Sequence, residues 1–300
     1  MQKYYQGAMI GAAIGDALGM PYEAMPGGRV LGHVDYMKAP RQHPNAGLKP
    51  GQYTDDTQIM LLVAGLLAEG IFSADEYAKG LLALSERLRF PDGSVMTACE
   101  RLNSAGPLKS GVFSTTSGCI PPGLPFALAY HNDPVALREN LVSACAVTHT
   151  HPAAHAAAVA FAMLIAAEIN GMENPFEYAW QNADAEDSEL GARLATALRL
   201  ENEGISLEAA LSVIGNDVSV YQTLPLAFFL IRRYQDPVDL LRVGTGLGGN
   251  TDTVGFICGA YIGATLGTTA FPENLLRDLE DPGHIRGLAN RLFRRCAGKD

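Results

Sequence analysis

The sequence predicts an all-α fold, and three observations support this prediction. Apolar residues recur at three- and four-residue spacing in long, alanine-rich stretches, as in helices that bury one face. Alternating strand patterns are rare, and residues 28–36 form the one stretch that could be a short extended piece. The segments that interrupt the helical pattern are neither long nor polar enough to be interdomain linkers. We therefore predict one all-α domain over residues 1–300.

The predicted helices follow one another with short breaks that are rich in proline and glycine. "HPAAHAAAVAFAMLIAAEIN" and "VSVYQTLPLAFFLIRRY" are two of the clearest helical stretches. "MPGG" at 25–28 and "SGCIPPGLP" at 117–125 are typical breaks. The predicted helices cover residues 5–19, 56–70, 74–90, 134–147, 153–170, 187–203, 220–233, 236–245, 252–268 and 284–296.

Two of these helices carry glycine at every fourth position. The first has Gly11, Gly15 and Gly19, and the late helix at 252–268 has a similar row that begins at Gly255. Glycine costs about 1 kcal/mol against alanine inside a helix, so its repetition on one face indicates very close helix packing. We therefore expect the first helix and the late helix to lie at the centre of the fold.

Composition describes a compact protein and excludes some partners. Of the 300 residues, 48% are hydrophobic and 18% are charged, which is unlike a disordered chain. The formal net charge is −10 and no long basic run is present, so we expect no nucleic-acid partner. The same composition is compatible with a monomer, although it leaves the oligomeric state open.

Three further features predict a cytoplasmic protein without a membrane partner. The five cysteines are scattered and contain no CxxC pair, which indicates reduced thiols. The N-terminal apolar patch is broken by Asp16 and lacks the basic start of a signal peptide. The uncharged stretch 253–270 is glycine-rich and lacks basic flanks, so we interpret it as a buried helix.

The stretch "GQYTDDTQIM", residues 51–60, raises the first question about function. Asp55 and Asp56 stand between two threonines at the head of an apolar run. One interpretation is a helix start, with Thr54 as N-cap and acids at the positive end of the helix dipole. The other is a cation site, because carboxylates and hydroxyls are ligands that magnesium and manganese prefer.

The stretch "GLGGNTDTVGFICGAYIGA", residues 246–264, repeats this pattern near the other end of the chain. Gly248 and Gly249 supply a loop, and Asp252 lies between two threonines at the start of a second apolar run. If the two helix starts converge, three carboxylates meet in one place and repel one another. A bound cation would hold such a cluster together, so convergence is the assumption on which the metal hypothesis rests.

Four segments together resemble the ADP-ribosylglycohydrolase family. They are "GAAIGDALGMPYE" at 11–23, "YTDDTQ" at 53–58, "THTHPAA" at 148–154 and "GGNTDTVGFICGAYIGA" at 248–264. The resemblance implies a compact orthogonal multi-helix bundle and two Mg²⁺ or Mn²⁺ ions. It also implies hydrolysis of a glycosidic bond at an ADP-ribosyl anomeric carbon, in an ADP-ribosylated protein or a small ribosylated molecule.

The resemblance also implies roles for individual residues. The residues that match metal ligands are Thr54, Asp55, Asp56, Asn250, Asp252 and Thr253. The residues that match the catalytic set are Glu23, Asp55 and Asp56. The residues that match the substrate pocket are Glu23, Asp92, Gly118, His149, Gly248, Gly249 and Asn250. We interpret Asp16 as a buried, hydrogen-bonding structural acid, and the carboxylate that transfers the proton stays unassigned.

Two positions depart from the family pattern. Asn250 stands where the family commonly has aspartate, so an oxygen ligand is kept and a negative charge is lost. Pro121 and Pro122 stand where many relatives have a Met-Arg pair, so a strong phosphate or packing contact is missing. These departures keep two alternatives open beside the ADP-ribosyl hydrolase: a ribosyl or nucleoside-type N-glycosidase acting on a metabolite, and a non-catalytic ADP-ribose-binding relative.

Overall fold

The computed structural model describes residues 1–25 and 34–297, and in these ranges the chain is all-α, as predicted. Helices and short 3₁₀ turns make up the regular structure of the described residues, which contain no strand. The extended piece predicted at 28–36 lies outside the described residues except for 34–36, which are irregular. The helices are α1 Gln2–Gly19, α2 Asp55–Glu69, α3 Ala74–Leu84, α4 Gly93–Ala105, α5 Gly123–Tyr130, α6 Pro134–Cys145, α7 Pro152–Ile169, α8 Pro175–Glu186, α9 Ser188–Asn202, α10 Leu207–Ile214, α11 Val220–Arg233, α12 Pro237–Gly244, α13 Thr251–Leu266, α14 Glu273–Asp278 and α15 Pro282–Ala297.

Every predicted helix is present, but the prediction missed α4, α5, α8, α10 and α14. Several of these are short, and α5 is apolar on all sides, so its periodicity is weak. The helix predicted at 74–90 ends early, because α3 stops at Leu84 and a 3₁₀ turn follows. Phe90 has a positive φ of 56°, a conformation that cannot continue a right-handed helix.

The glycine rows of α1 and α13 face each other at the centre of the molecule, as predicted. A Cβ atom on Gly11 would lie 2.1 Å from the carbonyl oxygen of Gly259. A Cβ atom on Gly15 would lie 1.8 Å from that of Gly255. No side chain fits between the two backbones, so the two helices cross at the shortest distance that the chain allows.

A third central helix, α7, is buried on nearly every side. Among the described residues it is the one helix long and apolar enough to cross a membrane, and 83% of that stretch is buried inside the fold. Such burial is what the core helix of a globular protein shows. The stretch predicted as a buried helix at 253–270 corresponds to α13, whose residues are buried from Thr251 to Ala260.

The crossing of α1 and α13 places the end of one helix beside the start of the other. The hydroxyl of Thr251 donates to the carbonyl oxygen of Gly19 at 2.9 Å. A 3₁₀ turn, Met20–Tyr22, continues from α1 and leads directly to Glu23. Glu23 is therefore delivered to the N-terminus of α13.

Candidate active site

Asp16 of α1 organises the start of α2. Its carboxylate accepts hydrogen bonds from the backbone N–H and the hydroxyl of Thr54, both at 2.9 Å. It also accepts from the backbone N–H of Thr57 at 3.0 Å and from the Thr57 hydroxyl at 2.6 Å. Asp16 is fully buried, so the interpretation of this residue as a structural acid is confirmed.

Thr54 is the N-cap of α2, as the helix-start interpretation predicts. Its side-chain oxygen accepts from the backbone N–H of Asp56 while its hydroxyl proton is donated to Asp16. The cap leaves the carboxylates of Asp55 and Asp56 in the first turn, 4% exposed. Capping and a cation site are compatible here, because the cap uses none of the carboxylate oxygens.

The loop before α13 is tied to the loop that carries Glu23. Gly248 and Gly249 have positive φ values of 72° and 67°, which favour glycine. The backbone N–H of Ala24 donates to the Gly249 carbonyl oxygen at 2.7 Å, and the Gly249 N–H donates to the Met25 carbonyl oxygen at 3.1 Å. These two bonds hold Glu23 against the first turn of α13.

The two helix starts converge, as the metal hypothesis requires. The pKa of Asp56 in α2 is shifted by burial, by the charge of Asp252 and by the side chain of Thr253, the last two in the first turn of α13, so the two helix starts lie within interaction range of each other. The carboxyl groups of Glu23 and Asp252 are within hydrogen-bonding reach of each other. We call Glu23, Asp55, Asp56 and Asp252 the acid cluster, in which every member is at most 8% exposed.

Burial and mutual repulsion disfavour ionisation throughout the acid cluster. Burial raises the pKa of Asp55, and the charges of Asp56 and Asp252 raise it further. Burial also raises the pKa of Glu23, and the charge of Asp252 and the hydrogen bond to it add to this effect. None of the four is ion-paired with lysine or arginine in the described part of the chain. Such a site favours either bound protons or a bound cation.

The residues present fit a hard divalent cation in their chemistry. Glu23 Oε2 and Asp56 Oδ2 are buried and have no hydrogen-bond partner among the described residues, so two oxygens are available to a ligand. Carboxylate, hydroxyl and amide oxygens are the donors that such ions take. Over residues 1–25 and 34–297, no three His, Cys, Asp or Glu side chains are already arranged around one metal position. The carboxylates would therefore have to adjust on binding, with the threonine and asparagine oxygens completing the set.

A second group of predicted residues lies around Asp92, the N-cap of α4. Asp92 Oδ1 accepts from the backbone N–H of Ser94 at 2.5 Å. Its other oxygen accepts from the backbone N–H of Gly118 at 3.1 Å and lies 3.5 Å from His149 Nε2. Glycine is required at 118, because a Cβ atom there would lie 2.3 Å from Asp92 Oδ2. Asp92, Gly118 and His149, predicted separately, therefore form one cluster.

Hydrogen bonds favour the ionised form of Asp92 and hold His149 in one orientation. Burial raises the pKa of Asp92, but the hydrogen bond and charge of His149 outweigh it and lower the pKa to about 2. His149 is completely buried, with Nε2 2.9 Å from Thr116 Oγ1 and Nδ1 2.9 Å from Thr148 Oγ1. Thr148 donates to the Cys145 carbonyl oxygen, so it accepts from His149 and places a proton on Nδ1.

The sequence did not indicate the roles of Thr116, Ser117 and Thr223. Thr116 joins His149 to Ser94, whose hydroxyl lies 2.9 Å from that of Thr116. The only local signal is a threonine pair before the "SGC" turn, which is too common to identify a site.

Asn250 connects the two clusters. Its Nδ2 donates to Ser117 Oγ and to Thr223 Oγ1, both at 2.8 Å. Its Oδ1 lies 3.3 Å from Thr253 Oγ1, which donates to it. Asn250 is 2% exposed and lies between the turn that carries Gly118 and the start of α13. Its role as a metal ligand stays a prediction, but its amide nitrogen already has a structural function.

A cavity of about 390 Å³ lies away from both clusters. Its lining includes Tyr5, Tyr130, His131 and Phe293, and contains none of the predicted site residues. The chemistry-bearing side chains are therefore concentrated in a buried polar region.

Comparisons with known proteins identify the family to which this chain belongs. The family model described as ADP-ribosylglycohydrolase matches residues 2–300. An Archaeoglobus fulgidus protein described as uncharacterized is 28% identical, with 98% of this chain and 97% of the relative covered. The ADP-ribosylhydrolase ARH3 of Danio rerio is 24% identical, with 98% and 90% covered. The ADP-ribosylarginine hydrolase Tri1 of Pseudomonas putida is 26% identical, with 98% and 79% covered.

A solved structure described as an ADP-ribosylglycohydrolase-related protein complex supports the same assignment. It superimposes with a TM-score of 0.77 at 28% sequence identity, and 98% of each chain is covered. The family match spans nearly the whole chain, and the named relatives hydrolyse ADP-ribosyl bonds. This chain is therefore a hydrolase that belongs to the ADP-ribosylglycohydrolase family.

Proposed function

We propose that this chain is a divalent-metal-dependent glycohydrolase that cleaves the bond between ADP-ribose and a protein side chain or small molecule. The observation that carries the proposal is the convergence of the α2 and α13 starts. It brings Asp55, Asp56 and Asp252 together with Glu23, all buried and, within residues 1–25 and 34–297, without a lysine or arginine partner. A purely structural role gives no reason to gather four such acids, since their repulsion destabilises the fold.

We propose that two Mg²⁺ or Mn²⁺ ions bind at this cluster. The residues that would hold them are Thr54, Asp55, Asp56, Asn250, Asp252 and Thr253. When bound, such ions supply positive charge that orients ribose hydroxyls and lowers the pKa of a coordinated water. The chain itself excludes bulk water from this region, because the acid cluster is nearly inaccessible. Exclusion of water strengthens every charge interaction with the reacting sugar.

Glu23 is well placed to handle a proton. Its carboxyl lies close to that of Asp252, and in the absence of a cation burial favours its protonated form. Cleavage breaks the bond from the anomeric carbon to the departing nitrogen or oxygen, and water adds to that carbon. A protonated Glu23 can donate to the departing group, while Asp55 and Asp56 stabilise positive charge that develops on the ribose.

The cluster of Asp92, Gly118 and His149 supports a separate binding role. The Gly118 turn is held by Asp92 and has no room for a side chain, so its position is fixed relative to Asp92. We propose that this turn, His149 and the Gly248–Gly249 loop line the substrate pocket. The hydrogen bond between Ser117 and Asn250 connects the Gly118 turn to the start of α13, where the acid cluster lies.

A second candidate is a ribosyl or nucleoside-type N-glycosidase that acts on a metabolite. The observation that favours it is the pair Pro121–Pro122, which is buried at the entrance to α5, where many relatives have Met-Arg. A proline pair offers no guanidinium to a phosphate group. The relatives named above act on ADP-ribosyl-arginine or as ADP-ribosylhydrolases, so the protein-linked substrate class is placed first.

We propose a cytoplasmic site of action.

The test is a release assay with and without magnesium, using ADP-ribosyl-arginine, ADP-ribosyl-serine and free ribosylated nucleosides. Magnesium-dependent release from one ADP-ribosyl substrate would support the proposal and identify the linkage. Release from nucleosides alone would support the second candidate. Full activity in chelator would rule out metal dependence.

A further inference from the structure

Thr223 of α11 has a hydrogen-bond arrangement that constrains residue 250. The Thr223 hydroxyl donates its single proton to the Asp217 carbonyl oxygen at 2.9 Å. Its oxygen must therefore accept at its other contact, which is Asn250 Nδ2 at 2.8 Å. Thr223 is completely buried, so water cannot take the place of either partner.

This arrangement requires a donor at residue 250. A carboxylate has no proton to give, so an aspartate there would place a buried negative oxygen against the lone pairs of Thr223. If Thr223 turned its proton to that carboxylate, its own oxygen would face the Asp217 carbonyl at 2.9 Å without a hydrogen. Ser117 imposes no such choice, because the hydroxyl contact that it makes with Asn250 works in either direction.

The same arrangement orients the amide. With Nδ2 toward Thr223 and Ser117, Oδ1 points toward Thr253, whose hydroxyl lies 3.3 Å away. Thr253 also belongs to the α13 turn that meets Asp56. The oxygen of Asn250 therefore faces the acid cluster, and its nitrogen faces the Gly118 turn.

We propose that Thr223 is a positioning residue that selects asparagine over aspartate at position 250 and thereby presents a neutral oxygen, rather than an added charge, to the cation site. The consequence for the cation rests on the proposed function, whereas the selection itself rests only on the hydrogen bonds. It gives a physical reason for an amide rather than a carboxylate at position 250.

The test is a double-mutant cycle read by thermal unfolding in chelator. Asn250→Asp is introduced into the original chain and into the Thr223→Val chain, in which the accepting oxygen is replaced by a methyl group. We expect Asn250→Asp to lower Tm by about 5 °C in the original chain, because a buried polar contact becomes unfavourable. We expect at least half of that shift to disappear in the Thr223→Val chain.

Thr245 provides a matched control. It is also completely buried and donates to a helix carbonyl, that of Leu241 at 2.8 Å. Asn250→Asp should therefore lower Tm by the same amount in the Thr245→Val chain as in the original. Thr223→Ser keeps the accepting oxygen and should also leave the shift unchanged. Thr223→Ala replaces Thr223→Val if the valine variant does not fold.

Equal Tm shifts in the original, Thr223→Val and Thr245→Val chains would overturn the proposal. Calorimetric titration of magnesium into the same proteins separates this failure from failure of the proposed function. If none of them binds magnesium, the metal-dependent function is wrong while the coupling between Thr223 and residue 250 is still decided by the unfolding data.

Discussion

Gly15 and Gly255 face each other so closely that a methyl group on Gly15 would lie 1.8 Å from the Gly255 carbonyl oxygen. This contact sets the crossing of α1 and α13, and with it the positions of Asp16 and Asp252. The first prediction concerns its strength. Gly15→Ala should lower the free energy of unfolding by about 3 kcal/mol or more, because backbone meets backbone and cannot yield.

Gly65 is the matched control for this substitution. It lies inside α2, and nothing lies within 4 Å of a Cβ atom built there. Gly65→Ala should leave stability unchanged or raise it by roughly 0.5–1 kcal/mol, through better helix propensity. Urea unfolding of both variants is the measurement. Similar behaviour of the two would show that the glycine row is not a packing device.

The second prediction concerns charge at the start of α13. Asp252→Asn should weaken magnesium binding at least tenfold and remove most activity, since it takes one of the few charges from the site. Asn250→Asp should strengthen magnesium binding, because a close charge is worth on the order of a few kcal/mol before desolvation. Calorimetric titration measures both. Equal affinity in the two variants and the original chain would show that this helix start does not hold the ion.

The third prediction concerns pH in the absence of metal. Burial raises the pKa of Asp16 to about 7, and the charge of Asp252 contributes to the increase. In the unfolded chain the Asp16 carboxyl ionises near pH 4. Between about pH 4 and pH 7 the native state therefore binds a proton that the unfolded state does not, and this stabilisation is lost as the pH rises. In chelator, the stabilising contribution of protonated Asp16 is fully present below about pH 4, and stability should fall as the pH rises from about 4 to about 7.

Magnesium should reverse this trend, because it binds the ionised acids. The rise in Tm that magnesium produces should therefore grow between pH 4 and pH 8. In the Asp252→Asn variant, stability in chelator should fall at a lower pH than in the original chain. The substitution removes one repelling charge and so lowers the pKa of Asp16. A Tm in chelator that rises steadily over this range would contradict the sign of the argument.

The fourth prediction concerns Asp92. The contact with His149 lowers its pKa to about 2, so its contribution is present above about pH 4 and is lost as the pH falls through about 2. Asp92→Asn should cost on the order of 2 kcal/mol at pH 7 and less at pH 3. Urea unfolding at the two pH values is the measurement.

Asp133→Asn is the control, because Asp133 caps α6 from an exposed position and accepts from the Ala136 N–H at 3.0 Å. It should cost little at either pH, since both side chains are good N-caps. If Asp92→Asn lowers the free energy of unfolding by no more than this control does, His149 does not stabilise the ionised form of Asp92.

The fifth prediction concerns the ligand. ADP-ribose should raise Tm more in magnesium than in chelator, because a ligand that binds only the native state stabilises it by mass action. Ribose and a nucleoside serve as comparison ligands. If they raise Tm and ADP-ribose does not, the metabolite N-glycosidase should replace the proposed substrate class.

Local patterns determined much of this protein from the sequence alone. Helix starts depend on residues within one turn, so the cap Thr54 and the first-turn acids Asp55, Asp56 and Asp252 were recognisable without a structure. The glycine rows likewise predicted the central pair of helices, because a four-residue repeat defines one helix face. The all-α class followed from periodicity that is repeated along most of the chain.

Only the tertiary structure decided which distant groups meet. Asp16 serves α2 from another helix, and Asn250 has partners 133 and 27 residues away, at Ser117 and Thr223. A hydrogen-bond partner is chosen by the relative position of whole elements, which no local pattern encodes. The sequence shows asparagine at position 250, where we expected a charge. The structure explains this asparagine, because Thr223 donates its one proton to Asp217 and therefore needs a donor at position 250.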